Sequence, residues 1–314
     1  MHILITGGSG FLGTALTHAL KNNGIDATAA SVTWVSRTPA KAQQRGIADA
    51  VISYDELART DKAYEVIINL AGAGIADSRW TDARKQALFD SRLQPTQALV
   101  DYIARIGNKP KLLVSGSAVG WYGAQDTNDP TALTESHAPV KADFAHEICD
   151  AWEKLALSVQ GIVPVAIVRT GVVIDPAGGM VARLVTPFKL AAGGKLGNGK
   201  QVMSWISRRD WVRAVMFIIA HHLRQPLNSQ PIYNLTNPKP ITNAEFTDAM
   251  GQWLHRPTVA TMPAVVVKLL FGDMATLLLD GQKVVPQALL TQGFSFEQHS
   301  VLAALQTAQS IDFG

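Results

Sequence analysis

The chain has 314 residues, is 47 % hydrophobic and 17 % charged, and carries a formal net charge of +3; no apolar run approaches the roughly 20 residues of a membrane-spanning helix, so no membrane partner is expected. Lys and Arg alternate with Asp and Glu instead of forming a basic stripe, which gives nucleic-acid binding no support. One cysteine, Cys149, excludes an internal disulfide or a thiolate cluster, and the eight histidines form no His-x-x-x-His pair, so no metal site is expected.

In chain order, residues 3–6 read as an apolar strand that runs directly into Gly7-x-x-Gly10-x-x-Gly13. The next residues, Phe11, Leu12, Ala15, Leu16, Ala19 and Leu20, recur at three- and four-residue spacing, the mark of a helix with one buried face. Glycine at these positions permits a tight turn, lets the backbone approach a pyrophosphate, and packs the helix closely on the strand, so the segment reads as a dinucleotide cradle. Because this strand begins at the N-terminus there is no room for a signal peptide, and a cytoplasmic location is expected. The second strand, 33–36, ends Ser36-Arg37-Thr38. No carboxylate stands there to hold a ribose 2′-hydroxyl, whereas two hydroxyls and a guanidinium suit a 2′-phosphate; NADP(H) is preferred over NAD(H), unless Arg37 is only a solvated cation.

Strands are also expected at 50–53, 66–70, 111–115 and 163–169, with a long helix over 81–106, broken or bent near Pro95, that could pair with its copy in a homodimer. The fourth strand ends Leu70-Ala71-Gly72, small enough for a nicotinamide ribose to approach, and the fifth ends in a segment from Ser115 through Ser117 to Tyr122. Both ends should open into one crevice, where Ser117 can orient a substrate oxygen. Tyr122 is either a second hydroxyl for that task or a structural phenol capping a loop. Pro176, Gly178 and Gly179 interrupt the alternation, and Gly193, Gly194, Gly197 and Gly199 form a glycine-rich segment expected to be mobile over a substrate. A returning helix at 210–222, a last strand at 232–235, a capping box at Thr242-x-x-Glu245 and a helix-rich remainder with a turn at Gly293-Phe294 complete the chain. The fold class that follows is α/β: a Rossmann-like doubly wound parallel sheet with a smaller, helix-rich C-terminal substrate lobe. Residues 1–235 form the NADP(H)-binding unit, with 172–209 contributing to the lobe, and 236–314 form the lobe itself.

Several segments together resemble the extended short-chain dehydrogenases/reductases of the sugar-nucleotide epimerase/dehydratase type. They are Thr6-Gly7-Gly8-Ser9-Gly10-Phe11-Leu12-Gly13, the small residues after Asn69, the serine-rich stretch from Ser115 to Gly123, Arg169-x-Gly171-x-Val173, and Trp205-Ile206-Ser207-Arg208-Arg209-Asp210. More narrowly, Arg79-Trp80-Thr81, Asp90-Ser91-Arg92, Trp152-Glu153 and the stretch from Leu277 to Val284 are similar to an atypical epimerase-like subfamily, labelled nucleoside-diphosphate-sugar epimerase and sometimes cell-division inhibitor. The resemblance implies that Ser115, Arg169, Gly171 and Val172 belong to the cofactor site, and that Arg92 falls where relatives carry an asparagine near the active site. A guanidinium there could also stabilise an oxyanion, which makes Arg92 a catalytic candidate beside Ser117 and Tyr122.

The departure from the family is as informative. Its catalytic Tyr-x-x-x-Lys is absent: the residues four places after Tyr54, Tyr64, Tyr102, Tyr122 and Tyr233 are Ala58, Ile68, Ile106, Asp126 and Asn237. The expected helix carries Ala145 and Cys149 near those places, with His146, Glu147 and Glu153 as other proton carriers. Cys149 reads as a small buried core residue. Met180, Lys200, Gln201 and Trp205 are candidates for the substrate wall, Trp205 serving equally well as plain core. The sequence therefore supports an NADP(H)-dependent oxidoreductase or epimerase-like enzyme acting on a small carbonyl or sugar-nucleotide substrate. The opposing reading is a protein that binds NADP(H) without catalysis, as a redox sensor or interaction module.

Overall fold

The computed structural model describes residues 1–129, 131–225 and 231–310. Its first half alternates strictly: β1 (His2–Thr6), α1 (Phe11–Asn23), β2 (Ser31–Val35), α2 (Pro39–Gln43), β3 (Ala50–Ile52), α3 (Tyr54–Arg59), β4 (Val66–Asn69), α4 (Asp82–Arg105), β5 (Leu112–Ala118), α5 (Phe144–Leu157) and β6 (Val165–Thr170). Then follow β7 (Val172–Ile174), α6 (Gly179–Lys189), β8 (Gly194–Leu196), β9 (Val202–Met203), β10 (Trp205–Ser207), α7 (Arg208–Arg224) and β11 (Ile232–Leu235). The last part comprises β12 (Ile241–Thr242), α8 (Asn243–Leu254), β13 (Ala260–Met262), α9 (Ala264–Phe271), α10 (Thr276–Leu279), α11 (Gln287–Thr291) and α12 (Val301–Ser310).

Seven of these strands pair in the order β11-β6-β5-β4-β1-β2-β3, every ladder parallel. This is the Rossmann-like sheet. The order reverses between β1 and β4, so their C-terminal ends flank a crevice at the topological switch point. The central strands are apolar on both faces because helices cover both. Ile3, Ile5, Ile68 and Val114 meet Leu16, Leu20, Trp211 and Ile218 on one side, and Leu4, Ile67 and Leu113 meet Leu99, Tyr102 and Ile103 on the other. A third cluster, with Val181, Phe188, Trp205, Phe246, Met250 and Leu305, is the core of the C-terminal lobe. Leu289, Phe294 and Phe296 return to pack in the first cluster, so the end of the chain is stitched to the main sheet.

Three local outcomes bear on the site. Helix α4 runs through Pro95 as one element, capped by Thr81, whose side chain accepts from Arg84 N–H. The capping box of α8 forms in full, Thr242 accepting from Glu245 N–H while Glu245 accepts from Thr242 N–H. The glycine-rich segment differs from expectation: β8 pairs with β13 in parallel, and a Cβ on Gly194 would lie 2.0 Å from Ala260 O. Glycine there permits close strand pairing. Residues 311–314 of the expected C-terminal unit lie outside the described residues.

Candidate active site and cofactor crevice

The cradle follows from sterics. Gly7 has φ +68°, and a Cβ there would lie 2.4 Å from Leu70 O. A Cβ on Gly13 would lie 2.4 Å from Gly7 O, so only glycine lets α1 seat this closely on the turn. Gly10, the N-cap of α1, has no side-chain cap, and a Cβ there would meet only Gly7 O at 3.1 Å. The first amides of α1 thus face the crevice with the helix's positive end behind them. Phe11 is fixed from two sides, by the Arg208 guanidinium 4.9 Å over its ring and by Gly178, where a Cβ would strike the ring at 2.3 Å. Leu12 is half-buried beside it. At the end of β2, Ser36 Oγ accepts from Thr38 N–H at 3.1 Å, and Arg37 and Thr38 are exposed. A cation unforeseen from sequence joins them: Arg45 donates to Ser9 O on the glycine turn. No local pattern marks it, since it reaches the turn only because α2 folds back along the crevice.

Beneath the crevice runs a buried polar chain. Thr6 Oγ1 donates to Asn69 Oδ1 at 2.6 Å; Asn69 Nδ2 donates to Thr96 Oγ1 at 2.7 Å and Ser115 Oγ at 3.3 Å; Trp152 Nε1 donates to Thr96 Oγ1 at 3.0 Å. Every member has a partner, so the chain rigidifies the ends of β1, β4 and β5. It also occupies Ser115, which is fully buried and therefore a scaffold for the crevice instead of a cofactor contact. Above it, Leu70 is half-buried, Ala71 buried and Gly72 exposed. Arg92 lies against Gly72, where a Cβ would be 3.3 Å from the guanidinium carbon. The same guanidinium donates to Leu88 O at 3.0 Å and Ala73 O at 3.1 Å and sits 5.4 Å from the Trp152 ring. Burial lowers its pKa, with Cys149 acting in the opposite direction. Gly171 and Val172 continue from β6, and Gly171 must be glycine because a Cβ would lie 2.4 Å from Ser204 O.

The hydroxyl at the end of β5 has a carboxylate partner. Ser117 Oγ donates to Glu153 Oε1 at 2.6 Å, and Arg169 grips the same carboxylate through Nε at 2.9 Å and Nη2 at 2.8 Å. Arg169 is 1 % and Glu153 4 % exposed. The Arg169 guanidinium stacks 3.4 Å from the Trp121 ring, which is half-buried. Arg169 is thus withdrawn from direct cofactor contact by its own ion pair, a correction to the sequence assignment. Ala145 stands against Gly120, and Cys149 is buried against Ser117 and the Ala118 N–H. Burial and the Glu153 carboxylate push the Cys149 thiol up to about 11. His146 is held by Trp121 O at 2.5 Å, and Glu147 is exposed. Of the proton carriers considered from sequence, Glu153 alone is bonded to Ser117.

Tyr122 is corrected as well. It is fully buried, and its hydroxyl donates to Thr134 O at 2.9 Å and Asn234 Oδ1 at 3.0 Å. Burial raises its pKa, so it is the structural phenol of the two alternatives. Tyr122→Phe is therefore expected to leave turnover and NADPH affinity unchanged while lowering stability by about 1–2 kcal/mol through the lost hydrogen bonds, measured by urea unfolding. Trp205 and Gln201 leave the substrate wall for a similar reason. Trp205 is fully buried with Nε1 donating to Lys239 O at 2.9 Å, and buried Gln201 donates to Leu278 O at 2.8 Å and Leu196 O at 3.2 Å. Lys200 is exposed on the lobe, and Met180 is half-buried one residue beyond Gly179, close to Phe11. Among the described residues there is no metal-ligating group of three and no helix long and apolar enough to cross a membrane.

Residues 3–235 match the NAD dependent epimerase/dehydratase family. The chain belongs to that family. Residues 262–308 match a domain of unknown function, DUF1731. Among members of the epimerase family, an epimerase family protein of Mycobacterium tuberculosis is 39 % identical over 305 residues, 96 % of each chain. The mouse epimerase family protein SDR39U1 is 31 % identical over 310 residues, 98 % of this chain and 99 % of its own. The crystal structure of human epimerase family protein SDR39U1 (isoform 2) with NADPH superposes with a TM-score of 0.86 at 31 % identity, covering 99 % of this chain and 100 % of that one. UDP-glucuronic acid 4-epimerase of Bacillus cereus, 16 % identical with a TM-score of 0.73, shares the fold. The chain is accordingly an atypical extended short-chain dehydrogenase/reductase of the epimerase-like, NAD(P)-dependent type.

Proposed function

We propose that this protein is an NADP(H)-dependent oxidoreductase or epimerase-like enzyme of the cytoplasm acting on a small carbonyl or sugar-nucleotide substrate. The observation that carries this reading is the Ser117–Glu153–Arg169 array at the end of β5, beside a crevice whose glycines leave backbone open to a pyrophosphate. The residues fit the cofactor: Gly7, Gly10 and Gly13 form the cradle, the α1 amides face it, and Ser36, Arg37, Thr38 and Arg45 offer donors with no carboxylate on the β2 turn to repel a 2′-phosphate. The NADPH bound by human SDR39U1 supports the same preference. When bound, the nicotinamide supplies or accepts hydride at C4.

The chain's own residues account for the proton. In oxidation of an alcohol, Ser117 Oγ accepts the substrate hydroxyl proton while passing its own to Glu153 Oε1; in reduction of a carbonyl the two transfers reverse. Arg169 holds Glu153 in place through two bonds and keeps its carboxylate aimed at Ser117. Arg92 adds a fixed positive charge beside Gly72 where oxygen charge develops. Residues 236–314, with 172–209, form the lobe that covers the substrate.

The test is one experiment with two readouts: wild type and Ser117→Ala are titrated with NADPH and NADH by nicotinamide fluorescence and assayed on a panel of aldehydes, ketones and UDP-sugars. Expected are NADPH binding at least about tenfold tighter than NADH and, for Ser117→Ala, turnover lowered by about 10²–10⁴ with NADPH affinity retained. NADPH binding with no turnover on any substrate leaves a non-catalytic NADP(H)-binding protein, and binding of neither nucleotide removes both readings.

A further inference from the structure

Helix α9 opens the segment matched to the domain of unknown function, and it is apolar on the outside. Of its eight residues only Val267 is buried, while Val265, Val266, Leu269 and Leu270 are 77 %, 40 %, 75 % and 51 % exposed. Two more exposed aliphatics lie on the same lobe: Val259, just before β13, at 91 %, and Leu190, at the end of α6, at 74 %. The β13–β8 ladder and the bond from Arg256 Nε to Lys189 O (3.0 Å) bring the ends carrying Val259 and Leu190 together, and α9 starts only two residues after β13. Of nine large apolar side chains exposed among the described residues, six therefore belong to this lobe surface. A concentration of that kind marks an interaction surface.

Charge identifies the partner. The chain contains no Asp or Glu between Asp175 and Asp210, nor between Asp248 and Asp273. These are the two stretches that build the surface, and in them Lys189 precedes Leu190, Lys268 precedes Leu269, Arg256 lies three residues before Val259, and Lys195 pairs with Thr261 in the β8–β13 ladder. Asp273, at the far end, is occupied by Lys85 at 2.8 Å. A second copy of the chain would set like charges against each other. Protein-binding surfaces concentrate Tyr, Trp, Met and Arg at their centres and are depleted in Lys. Valine and leucine flanked by lysine instead match an element that lies in a bilayer interface, with aliphatic tips among the acyl chains and lysine stems reaching back to anionic headgroups. No helix among the described residues is long and apolar enough to span a bilayer, and a face resting on one requires none.

We propose that this face, led by α9, docks on the surface of an anionic lipid bilayer. The inference is independent of the catalytic reading, because no residue in it belongs to the crevice. The full chain is floated with vesicles of phosphatidylcholine alone and of phosphatidylcholine with about 30 % phosphatidylglycerol, at low salt and at about 0.5 M salt, where surface attraction is screened. Binding to the anionic vesicles only, weakened by salt, is expected. The Val265→Glu/Leu269→Glu variant should reduce the bound fraction by at least about tenfold, and Lys189→Glu/Lys268→Glu should reduce it as well. Ile162→Glu, at an exposed site in the segment just before β6, is the control and should bind as wild type. Circular dichroism and NADPH titration of each variant report whether it is folded. Equal binding to both vesicle types, or none, overturns the proposal. So does a concentration-dependent dimer, seen by light scattering, that the Val265→Glu/Leu269→Glu variant dissolves, since the face would then be a self-interface.

Discussion

Glu153→Ala is expected to lower the unfolding free energy by about 3–5 kcal/mol, the scale seen when one member of a buried ion pair is removed. Glu153 accepts three hydrogen bonds, at 2.6, 2.9 and 2.8 Å, from Ser117 and Arg169. Its loss strands the Arg169 guanidinium, 1 % exposed, with the neutral Tyr122 and Trp121 side chains in place of its counter-ion. The Trp121 face at 3.4 Å recovers part of the charge's lost solvation but none of its hydrogen bonds. The double variant Glu153→Leu/Arg169→Met removes both charges and should recover most of the stability. Urea unfolding of the three proteins decides the matter: a loss below about 1 kcal/mol for Glu153→Ala would mean that water reaches the pair and that Glu153 is no rigid proton acceptor. Glu153→Gln keeps the shape and one acceptor oxygen but leaves the buried Arg169 charge unpaired, so stability and turnover should both fall.

The cradle glycines should divide into two classes. Gly7→Ala forces a side chain into φ +68° and into Leu70 O at 2.4 Å, so it should cost about 1–3 kcal/mol of stability and abolish measurable NADPH binding together. Gly10→Ala meets only Gly7 O at 3.1 Å. Its backbone is extended, with φ −78° and ψ 177°, which any residue adopts. Stability should change by less than about 1 kcal/mol while NADPH affinity falls at least about tenfold, because the added methyl stands where the pyrophosphate approaches. Thermal melts with and without NADPH measure both terms. A Gly10→Ala variant that binds NADPH normally would place the nucleotide elsewhere.

Much of this arrangement is legible in the residues themselves because it is local. A strand followed by three spaced glycines and a period of 3.6 can be one thing in few folds, and Thr242 and Glu245 specify their capping box over three residues. The positions of β1, β2, β4, β5 and β6 follow from apolar runs that the sheet buries on both faces. What local pattern cannot distinguish is burial among aromatic and polar residues. Trp205 and Tyr122 carry the same chemistry in a substrate wall as in a core, and only their distant partners, Lys239 O and Asn234 Oδ1, decide between the two. Gln201 leaves the substrate wall for the same reason, its partners Leu278 O and Leu196 O being distant or backbone groups that no local pattern shows. Glu153 was visible as one of three candidates on α5, and the sixteen-residue separation from Arg169 hides the bond that selects it. Arg45 is farther still from its acceptor, Ser9, and no spacing rule reaches it.

Cys149 gives the protein a property of a different kind. Burial and the Glu153 carboxylate raise its thiol to about 11, so it stays protonated near neutral pH, and the thiolate is the form that attacks peroxides and disulfides. Being also buried and the chain's sole sulfhydryl, it has no second thiol within the same polypeptide with which to close a reversible bridge. The thiol at the β5–α5 junction is therefore expected to resist oxidants that silence thiol-dependent enzymes.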